Sequence, residues 1–211
     1  MDRKVSTSIP YIKGYRVMKL AVFGCSHTGV GPRKWNQTWP YHLYEATKLV
    51  INNFAIGGTS TQFQYDLFKK NIDNFDKFIF QFTVPYRLTK QTGPIRQEES
   101  ETYTYFSNMT GNLERNTAGK FNREYEKWIK KDTGNIIKEY TNICKKIKSH
   151  NKCLFAFYMF MNDTNVKGTA VLQEKFPDIV YNNDPRHSKS RHLSNEENKI
   201  IAAYIKEKCK L

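Results

Sequence analysis

Three polar side chains follow one short apolar segment near the start of the chain. Cys25, Ser26 and His27 come directly after Lys19 to Phe23, which is mostly apolar and ends at Gly24. Such a segment is typical of a short buried strand. Polar groups at the end of a strand face a crevice, so this thiol, hydroxyl and imidazole are the first candidates for chemistry.

The rest of the chain alternates helix-like and strand-like segments that must position these groups. Further strands are predicted at "VINNFAI", "KFIFQFTV" and "CLFAFYMF". Helices are predicted where Trp39, Leu43, Ala46 and Val50 recur at helical spacing, at "TQFQYDLFKKNIDNF", from Glu124 to about Ser149, and at "NEENKIIAAYIKEKC". Alternation of this kind predicts an α/β fold with a mainly parallel sheet covered by helices on both faces. Ligands bind such a sheet at the carboxyl ends of its strands.

A chain of 211 residues fits a single domain with a sizeable core. We expect this domain to span residues 18–211, with residues 1–17 as an N-terminal extension, because Met18-Lys19-Leu20 is itself a plausible start. Residues 89–121 are polar and show no clear periodicity. So long a connection is more often a lid or a binding loop than an idle coil, and we expect one here.

The net charge of +14 would suit an anionic partner such as nucleic acid, an acidic glycan or a phosphorylated surface. The lysines are spread through the chain, however, with only brief clusters such as Lys145 to Lys148. A solvated basic face explains this distribution, so nucleic acid is not expected as a partner.

Four cysteines form no Cys-x-x-Cys pair and no dense framework, so neither a zinc site nor a disulfide scaffold is expected. No metal or other cofactor is predicted. The first twenty residues have no apolar core of signal-peptide length, and no later segment approaches a membrane span. We therefore expect a soluble protein, located in the cytoplasm by default, whose oligomeric state the sequence does not give.

Three short segments resemble motif blocks of the SGNH, or GDSL-like, hydrolase family. Gly24 to Gly29 resembles the first block, whose Gly-Asp-Ser motif places a serine after the first strand. Asn53 to Ser60 is similar to the second block, Asn-x-Ala-x-x-Gly-x-Ser/Thr. The sequence around His192 is similar to the fifth block, in which a histidine precedes the last helix. The resemblance covers most of the chain from Met18 onward and implies a flavodoxin-like three-layer sandwich.

The resemblance also implies a role for each matching residue. Ser26 corresponds to the nucleophile, Gly58 to the donor of a backbone N–H to the oxyanion, and His192 to the general base. Cys25 stands in place of the usual aspartate and is expected to be a buried small side chain, while His27 is expected to line the pocket. A serine hydroxyl near neutral pH needs both a base and oxyanion donors, so this set of residues is chemically coherent.

The third block departs from the family pattern. An asparagine that donates to the oxyanion is expected after the third strand, but Pro85 stands at about that place and proline has no N–H. Loss of one such donor typically lowers the rate by about 10²- to 10³-fold. Either the activity is reduced or another residue substitutes, the candidates being Gln81, Thr83, Tyr86 and Arg87. Arg87 is also suited to hold an anionic group of the substrate.

The fifth block departs as well, because Lys189 stands where the family has an aspartate, three residues before His192. The one Asp-x-x-His in the chain is Asp184 to His187. Three arrangements remain open: Asp184 reaches His192, a Ser–His dyad works without an acid, or His187 is the base. We favour His192, because the capping box at Ser194 predicts a helix start that fixes its position.

These residues together predict a serine-dependent ester hydrolase. The preferred substrate class is an O-acetylated carbohydrate or a similar small ester, on analogy with the family. The alternative is a binding module of the same fold that recognises an anionic glycan or nucleic acid without turnover.

Overall fold

The computed structural model describes residues 18–29, 34–85, 87–91, 103–107, 133–161, 164–181 and 193–211. The apolar runs of the sequence form the strands. These are β1 (Lys19–Phe23), β2 (Val50–Asn53), β3 (Lys77–Phe82), β4 (Arg87–Gln91), β5 (Tyr103–Ser107), β6 (Cys153–Tyr158) and β7 (Ala170–Val171). The helices are α1 (Trp39–Thr47), α2 (Thr61–Asn71), α3 (Thr133–Lys148), α4 (Leu172–Lys175), α5 (Pro177–Tyr181) and α6 (Asn195–Cys209).

Five strands form one parallel sheet in the order β2-β1-β3-β6-β7. Val22 lies beside Asn53 on one side and Ile79 on the other, so β1 lies between β2 and β3. The strand order is the flavodoxin-like one, and its direction reverses between β1 and β3. The carboxyl ends of β1 and β3 therefore flank the crevice in which folds of this type bind ligands.

Two apolar layers cover the two faces of this sheet. Side chains alternate along a strand, so Ala21 and Phe23 join one cluster while Leu20 and Val22 join the other. The first cluster includes apolar residues of α2 and α3, and the second includes residues of α1 and α6. The result is a three-layer α/β/α sandwich, which confirms the fold class predicted from the sequence.

The boundaries of several elements differ from the prediction. Because α1 ends at Thr47, Val50 begins β2 instead of ending the preceding helix. Ala46, predicted to lie on the apolar face of that helix, is exposed. Lys48 is left-handed, with φ of 56°, and its N–H bonds back to Tyr44 O at 2.7 Å, which ends the helix. The third helix is described from Thr133, so the predicted start at Glu124 lies outside the described residues.

The segment predicted as an aperiodic lid contains regular structure. β4 and β5 pair antiparallel, with Leu88 opposite Phe106 and Thr89 opposite Tyr105. Period-two alternation is weak here, because the residues of "YTYFS" do not alternate between apolar and polar types. The remainder of the lid segment, like the predicted N-terminal extension at residues 1–17, lies outside the described residues.

The last helix begins as the capping box predicts. Ser194 is the N-cap, its hydroxyl accepts from Glu197 N at 3.3 Å, and the Glu197 carboxylate accepts from Ser194 N at 2.5 Å. One turn further on, fully buried Asn198 accepts from Trp39 N at 3.0 Å and donates to Leu193 O at 3.1 Å. Asn198 thus joins the starts of α1 and α6.

None of the helices in the described ranges combines the length and the apolar character needed to cross a membrane.

Replacing Asn198 with alanine should destabilise the fold. The change leaves Trp39 N–H and Leu193 C=O buried without their side-chain partner, and each such group costs about 1 to 3 kcal/mol. Urea unfolding should show a lower midpoint with an unchanged slope. Glu207→Ala, at an exposed position of the same helix, is the matched control and should change the free energy of unfolding by about 0.5 kcal/mol or less. Equal effects of the two substitutions would contradict the role given to Asn198.

Candidate active site

The chain turns sharply after β1. Cys25 O accepts from Thr28 N at 2.9 Å and from Gly29 N at 2.7 Å, so the turn is closed by its own backbone. Ser26 and His27 are half-buried, whereas Cys25 is 5% exposed and Thr28 is fully buried. The turn therefore presents the hydroxyl and the imidazole while it directs the thiol into the protein.

The buried amide side chains of Gln81 and Gln64 hold this turn in place. Gln81, on β3 and 1% exposed, accepts from Thr28 Oγ1 at 2.5 Å and from Cys25 N at 3.5 Å. Its Nε2 donates to Cys25 Sγ at 3.4 Å. Gln64, fully buried on α2, accepts from Gly24 N at 3.2 Å. A buried amide is stable only when its polar atoms are paired, so these contacts restrict the turn to one position.

Gly24 and Gly29 are required by close approach. A Cβ on Gly24 would lie 2.8 Å from Thr28 Oγ1 and 2.9 Å from Gln81 Cβ. A Cβ on Gly29 would lie 2.6 Å from the backbone oxygen of Ala55, closer than Cβ atoms approach other atoms. The glycines that the sequence places at both ends of this turn thus allow it to pack against β3 and against the loop that follows β2.

The loop after β2 is bonded directly to the turn after β1. Asn53 Nδ2 donates to Thr28 O at 3.0 Å, while its Oδ1 accepts from Ala55 N at 3.0 Å. Ile56 N donates to Gly24 O at 3.3 Å. Gly58 follows with φ of 76°, a left-handed conformation that glycine adopts without strain. The structure therefore brings the Ser26 turn and the Gly58 loop together at the carboxyl edge of the sheet.

Hydroxyl groups join the start of α2 to the end of β3. Ser60 caps α2 by accepting from Phe63 N at 3.2 Å. Thr61 Oγ1 accepts from Thr83 N at 2.9 Å and lies 3.1 Å from Thr83 Oγ1. Thr83 is 7% exposed, so the described contacts give this predicted oxyanion or substrate-binding residue a partner inside the protein.

Strand β4 crosses the same loop. Ser60 N donates to Thr89 Oγ1 at 2.8 Å, and Arg87 Nη1 donates to Thr59 O at 3.4 Å. Among the described residues, Arg87 Nε is buried and has no hydrogen-bond acceptor. Arg87 thus places a positive charge one residue beyond Gly58. Tyr86, another candidate to replace the missing asparagine, lies outside the described residues.

The candidate bases His187 and His192 and the candidate acid Asp184 lie outside the described residues, as do all positions from 182 to 192. The residue that follows His192, however, is well placed. Leu193 is 2% exposed, and its carbonyl accepts from Asn198, which also binds Trp39 N. Trp39 Nε1 in turn donates to Thr28 Oγ1 at 3.3 Å. One chain of hydrogen bonds therefore connects the Ser26 turn to the chain neighbour of His192.

His27 lies against Phe160, with ring centroids 5.3 Å apart in an edge-to-face arrangement. Phe160 follows β6, so His27 faces the end of a strand that lies two positions away from β1 in the sheet. Trp39 is fully buried and contacts Phe157 edge-to-face at 6.0 Å. It belongs to the core, and its indole N–H supports the turn.

A buried polar cluster lies behind Thr83. Tyr140 donates its hydroxyl proton to Thr83 O, and Val166 N donates to the hydroxyl oxygen of Tyr158 at 3.2 Å. Burial raises the pKa of the Cys144 thiol to about 12. Burial also raises the pKa of Tyr140 and of Tyr158 above the ordinary range. All three groups are therefore neutral at physiological pH and act as hydrogen-bonding partners.

Within the described ranges, no group of three or more His, Cys, Asp or Glu side chains is arranged to hold a metal ion.

Several residues of the site were not singled out from the sequence. Gln64 and Asn198 occupy buried helix positions, and Thr59 is buried in the loop before α2, where its Oγ1 accepts from Gln64 Nε2 at 2.9 Å. For Gln64 and Asn198 the available signal was a polar residue at a position where the helical period requires an apolar one. Gln81 carries the same signal inside "KFIFQF", where it was considered only as a replacement oxyanion donor.

Comparison with solved structures supports this architecture. The chain matches the psychrotrophic esterase EstA from Pseudoalteromonas sp., described as inhibited by monoethylphosphonate, with a TM-score of 0.51 and 10% identity. The match covers 91% of this chain and 96% of the esterase. The identity is low, so the likeness concerns the fold.

Two further matches have lower scores. One is to a protein from Desulfitobacterium hafniense described as lipolytic and of the G-D-S-L family, with a TM-score of 0.41, 15% identity, and coverage of 90% of this chain and 99% of that one. The other is to a member of the lipolytic G-D-S-L family from Veillonella parvula, with a TM-score of 0.40, 9% identity, and coverage of 90% and 96%. No protein-family model matches the sequence, and no curated protein matches it.

Replacing Gln81 with alanine should destabilise the protein and loosen the Ser26 turn. The change leaves the Thr28 hydroxyl and Cys25 N–H without their acceptor in a buried position, at a cost of about 1 to 3 kcal/mol for each group. Hydrogen exchange should become faster at the amides of residues 24–29 in particular. Gln62→Ala, on the exposed face of α2, is the control and should alter neither property. Unchanged exchange at the turn in Gln81→Ala would contradict the supporting role of Gln81.

Alkaline pH should destabilise the protein through the cluster behind Thr83. An unfolded chain ionises the Cys144 thiol near pH 9, whereas the folded chain keeps it neutral up to about pH 12. The stabilisation is therefore complete below about pH 9 and is lost as pH rises toward 12, at roughly 1.4 kcal/mol per pH unit for one group. Cys144→Ala should show a shallower fall in the free energy of unfolding between pH 9 and 11. Ile147→Val, which is buried in the same helix and does not titrate, should keep the wild-type slope.

Proposed function

We propose that this protein is a serine-dependent ester hydrolase with Ser26 as the nucleophile. The observation that carries the proposal is the placement of a half-buried serine on a turn that buried amides fix and that bonds directly to the Gly58 loop. A nucleophile held rigidly beside backbone donors is the arrangement that acyl transfer needs. The shared fold with an esterase supports the proposal at the level of architecture.

The proposed reaction has two steps. Ser26 Oγ attacks the acyl carbon while His192 removes the hydroxyl proton, and the backbone N–H groups of Ser26 and Gly58 stabilise the oxyanion. The protonated histidine then donates this proton to the departing alcohol as the ester C–O bond breaks. Water, activated by the same histidine, hydrolyses the acyl-enzyme and restores the serine.

The choice of His192 as the base rests on the residue that follows it in the chain. The hydrogen-bond chain from Thr28 through Trp39 and Asn198 to Leu193 holds the residue after His192 in a fixed relation to the Ser26 turn. We therefore retain His192 as the base, with Asp184 as the acid that orients it if the loop folds back.

For the substrate, we propose a small acyl ester, with O-acetylated carbohydrate as the leading class. Trp35 and Tyr41 support this choice, because their rings meet edge-to-face at 6.0 Å on a partly exposed surface next to the start of α1. Partly exposed aromatic rings of this kind are suited to stack on sugar rings. Trp39, by contrast, is buried and takes no part in binding.

A second function is favoured by the net charge of +14 and by the proline at the third-block position. A chain with this fold and a weakened oxyanion site would bind an acidic glycan or nucleic acid without turnover. Salt-sensitive binding to polyanions, with no hydrolysis of activated esters, would support this alternative over the hydrolase.

Mutation of the proposed nucleophile and base should give a distinctive pattern. With p-nitrophenyl acetate, Ser26→Ala and His192→Ala should each lower kcat/KM by at least about 10³-fold, and the double variant should be little worse than either, because the two residues act as a unit. His187→Ala should have a much smaller effect. Cys25→Ala is the matched control for Ser26 and should retain activity within about 10-fold, because its thiol is 5% exposed and faces Gln81.

Covalent trapping gives an independent readout. An activated ethyl phosphonate should label one residue, and peptide mass spectrometry should place the label on Ser26. Labelling of Cys25, or loss of activity in Cys25→Ala with retention in Ser26→Ala, would show that the thiol is the nucleophile. A loss that falls mainly on His187→Ala would move the base to that residue.

A further inference from the structure

We infer that Arg87 binds a carboxylate carried by the substrate, so that the preferred ester is anionic. This inference deepens the proposed hydrolase function and rests on it, because the anion site is placed beside the proposed oxyanion loop. It concerns which esters are selected, whereas the proposed function concerns which residues perform the reaction.

The position of Arg87 is the first observation. The residue opens β4, and its Nη1 donates to Thr59 O at 3.4 Å, one residue from Gly58. A second contact fixes the strand, because Thr89 Oγ1 accepts from Ser60 N at 2.8 Å. With β4 fastened at two points to the loop after β2, the guanidinium is held at the carboxyl edge of the sheet and beside the proposed acyl site.

The hydrogen bonding of Arg87 is the second observation. Among the described residues, its Nε is buried and unpartnered, and a buried donor without an acceptor is costly. With Nη1 bound to Thr59 O, the guanidinium edge formed by Nε and Nη2 has no acceptor among the described residues. This edge carries two parallel N–H groups and matches the two oxygens of a carboxylate.

The charge around Arg87 is the third observation. Ion pairs between described residues include Lys48 with Glu45, Lys69 with Asp66, and Lys199 with Glu196. All of these lie on exposed helix surfaces, and none of them involves Arg87. A half-buried guanidinium gains more from an anion than an exposed lysine does, because the surrounding protein screens it less than water.

The other side chains considered for this position are already committed. The Gln81 amide is used by the Ser26 turn, and Thr83 is paired with Thr61. Arg87 is thus the described residue of that group with a buried donor still to satisfy. A carboxylate in the substrate would satisfy Nε and neutralise the charge in one contact.

Two matched ester pairs test the inference. The acyl-side pair is mono-4-nitrophenyl adipate, which is anionic, and 4-nitrophenyl hexanoate, which is neutral and has an acyl chain of the same length. The alcohol-side pair is 4-acetoxybenzoate and its methyl ester. Each is assayed at low ionic strength with wild type, Arg87→Gln, Arg87→Lys and Lys69→Gln, the last removing a charge from the exposed end of α2.

Arg87→Gln should lower kcat/KM for the anionic member of one pair by about 10- to 100-fold, the range expected for a charge-assisted hydrogen bond. The neutral member should lose less activity than the anionic member. The ratio of the two kcat/KM values is the readout, because Arg87 also bonds the loop that carries Gly58. Arg87→Lys should recover part of the loss, and Lys69→Gln should leave the ratio unchanged. The pair that responds identifies whether the anion lies on the acyl or the alcohol side. Equal losses for anionic and neutral members in both pairs would overturn the inference.

A binding experiment separates this inference from the proposed function. Adipate is titrated calorimetrically onto Ser26→Ala and onto the Ser26→Ala/Arg87→Gln double variant. The dissociation constant should rise by about 10-fold or more in the double variant. Equal constants, or no binding to either protein, would overturn the anion site whatever the ester assays show. Absence of ester turnover together with Arg87-dependent adipate binding would instead refute the hydrolase and keep the site.

Discussion

The buried amide of Gln81 is the constraint on which the candidate site depends. It accepts from Thr28 Oγ1 and Cys25 N and donates to Cys25 Sγ, so both ends of one side chain are used by the turn after β1. A buried amide atom without a partner costs more free energy than one hydrogen bond contributes. The turn after β1 and the strand β3 therefore fix each other's position. The orientation of the turn leaves Ser26 and His27 half-buried at its outer side and places Cys25 inside.

The sheet topology extends this local constraint to the whole site. Because β1 and β3 are neighbours at the point where the strand order reverses, the loops that leave them and the loop after β2 meet at one edge. Asn53 joins the loop after β2 to the turn after β1, and Thr61 joins the start of α2 to Thr83. Strand β4 crosses the loop after β2, where Thr89 accepts from Ser60 N. Hydrogen bonds of polar side chains at the strand ends thus hold this edge together, as apolar packing holds the two core layers together.

The sequence predicted the parallel sheet, its flanking helices and the capping box at Ser194, because each is a local signal of period, length or cap. It did not predict the pairing of β4 with β5, since "YTYFS" lacks the alternation that marks one buried face. The strand predicted up to Ile56 ends at Asn53, where the side chain of Asn53 takes over bonding to the turn. Asn198, Gln64 and Gln81 appear in the sequence only as polar residues in apolar patterns. Each of them binds a residue that lies 40 or more positions away in the chain, and no local pattern encodes such a contact.

The bond between Trp39 N and Asn198 Oδ1 spans 159 positions of the chain and bears on how the protein is made. α6 is C-terminal to every strand of the sheet, so during synthesis the sheet emerges from the ribosome before the helix that covers one of its faces. Until α6 docks, Leu20, Val22 and Ile79 lack part of their apolar cover, and closing so long a loop slows the final step. During synthesis this face of the sheet therefore lacks the cover of α6 until that helix has been made, and exposed apolar surface of this kind makes incompletely folded chains prone to aggregation.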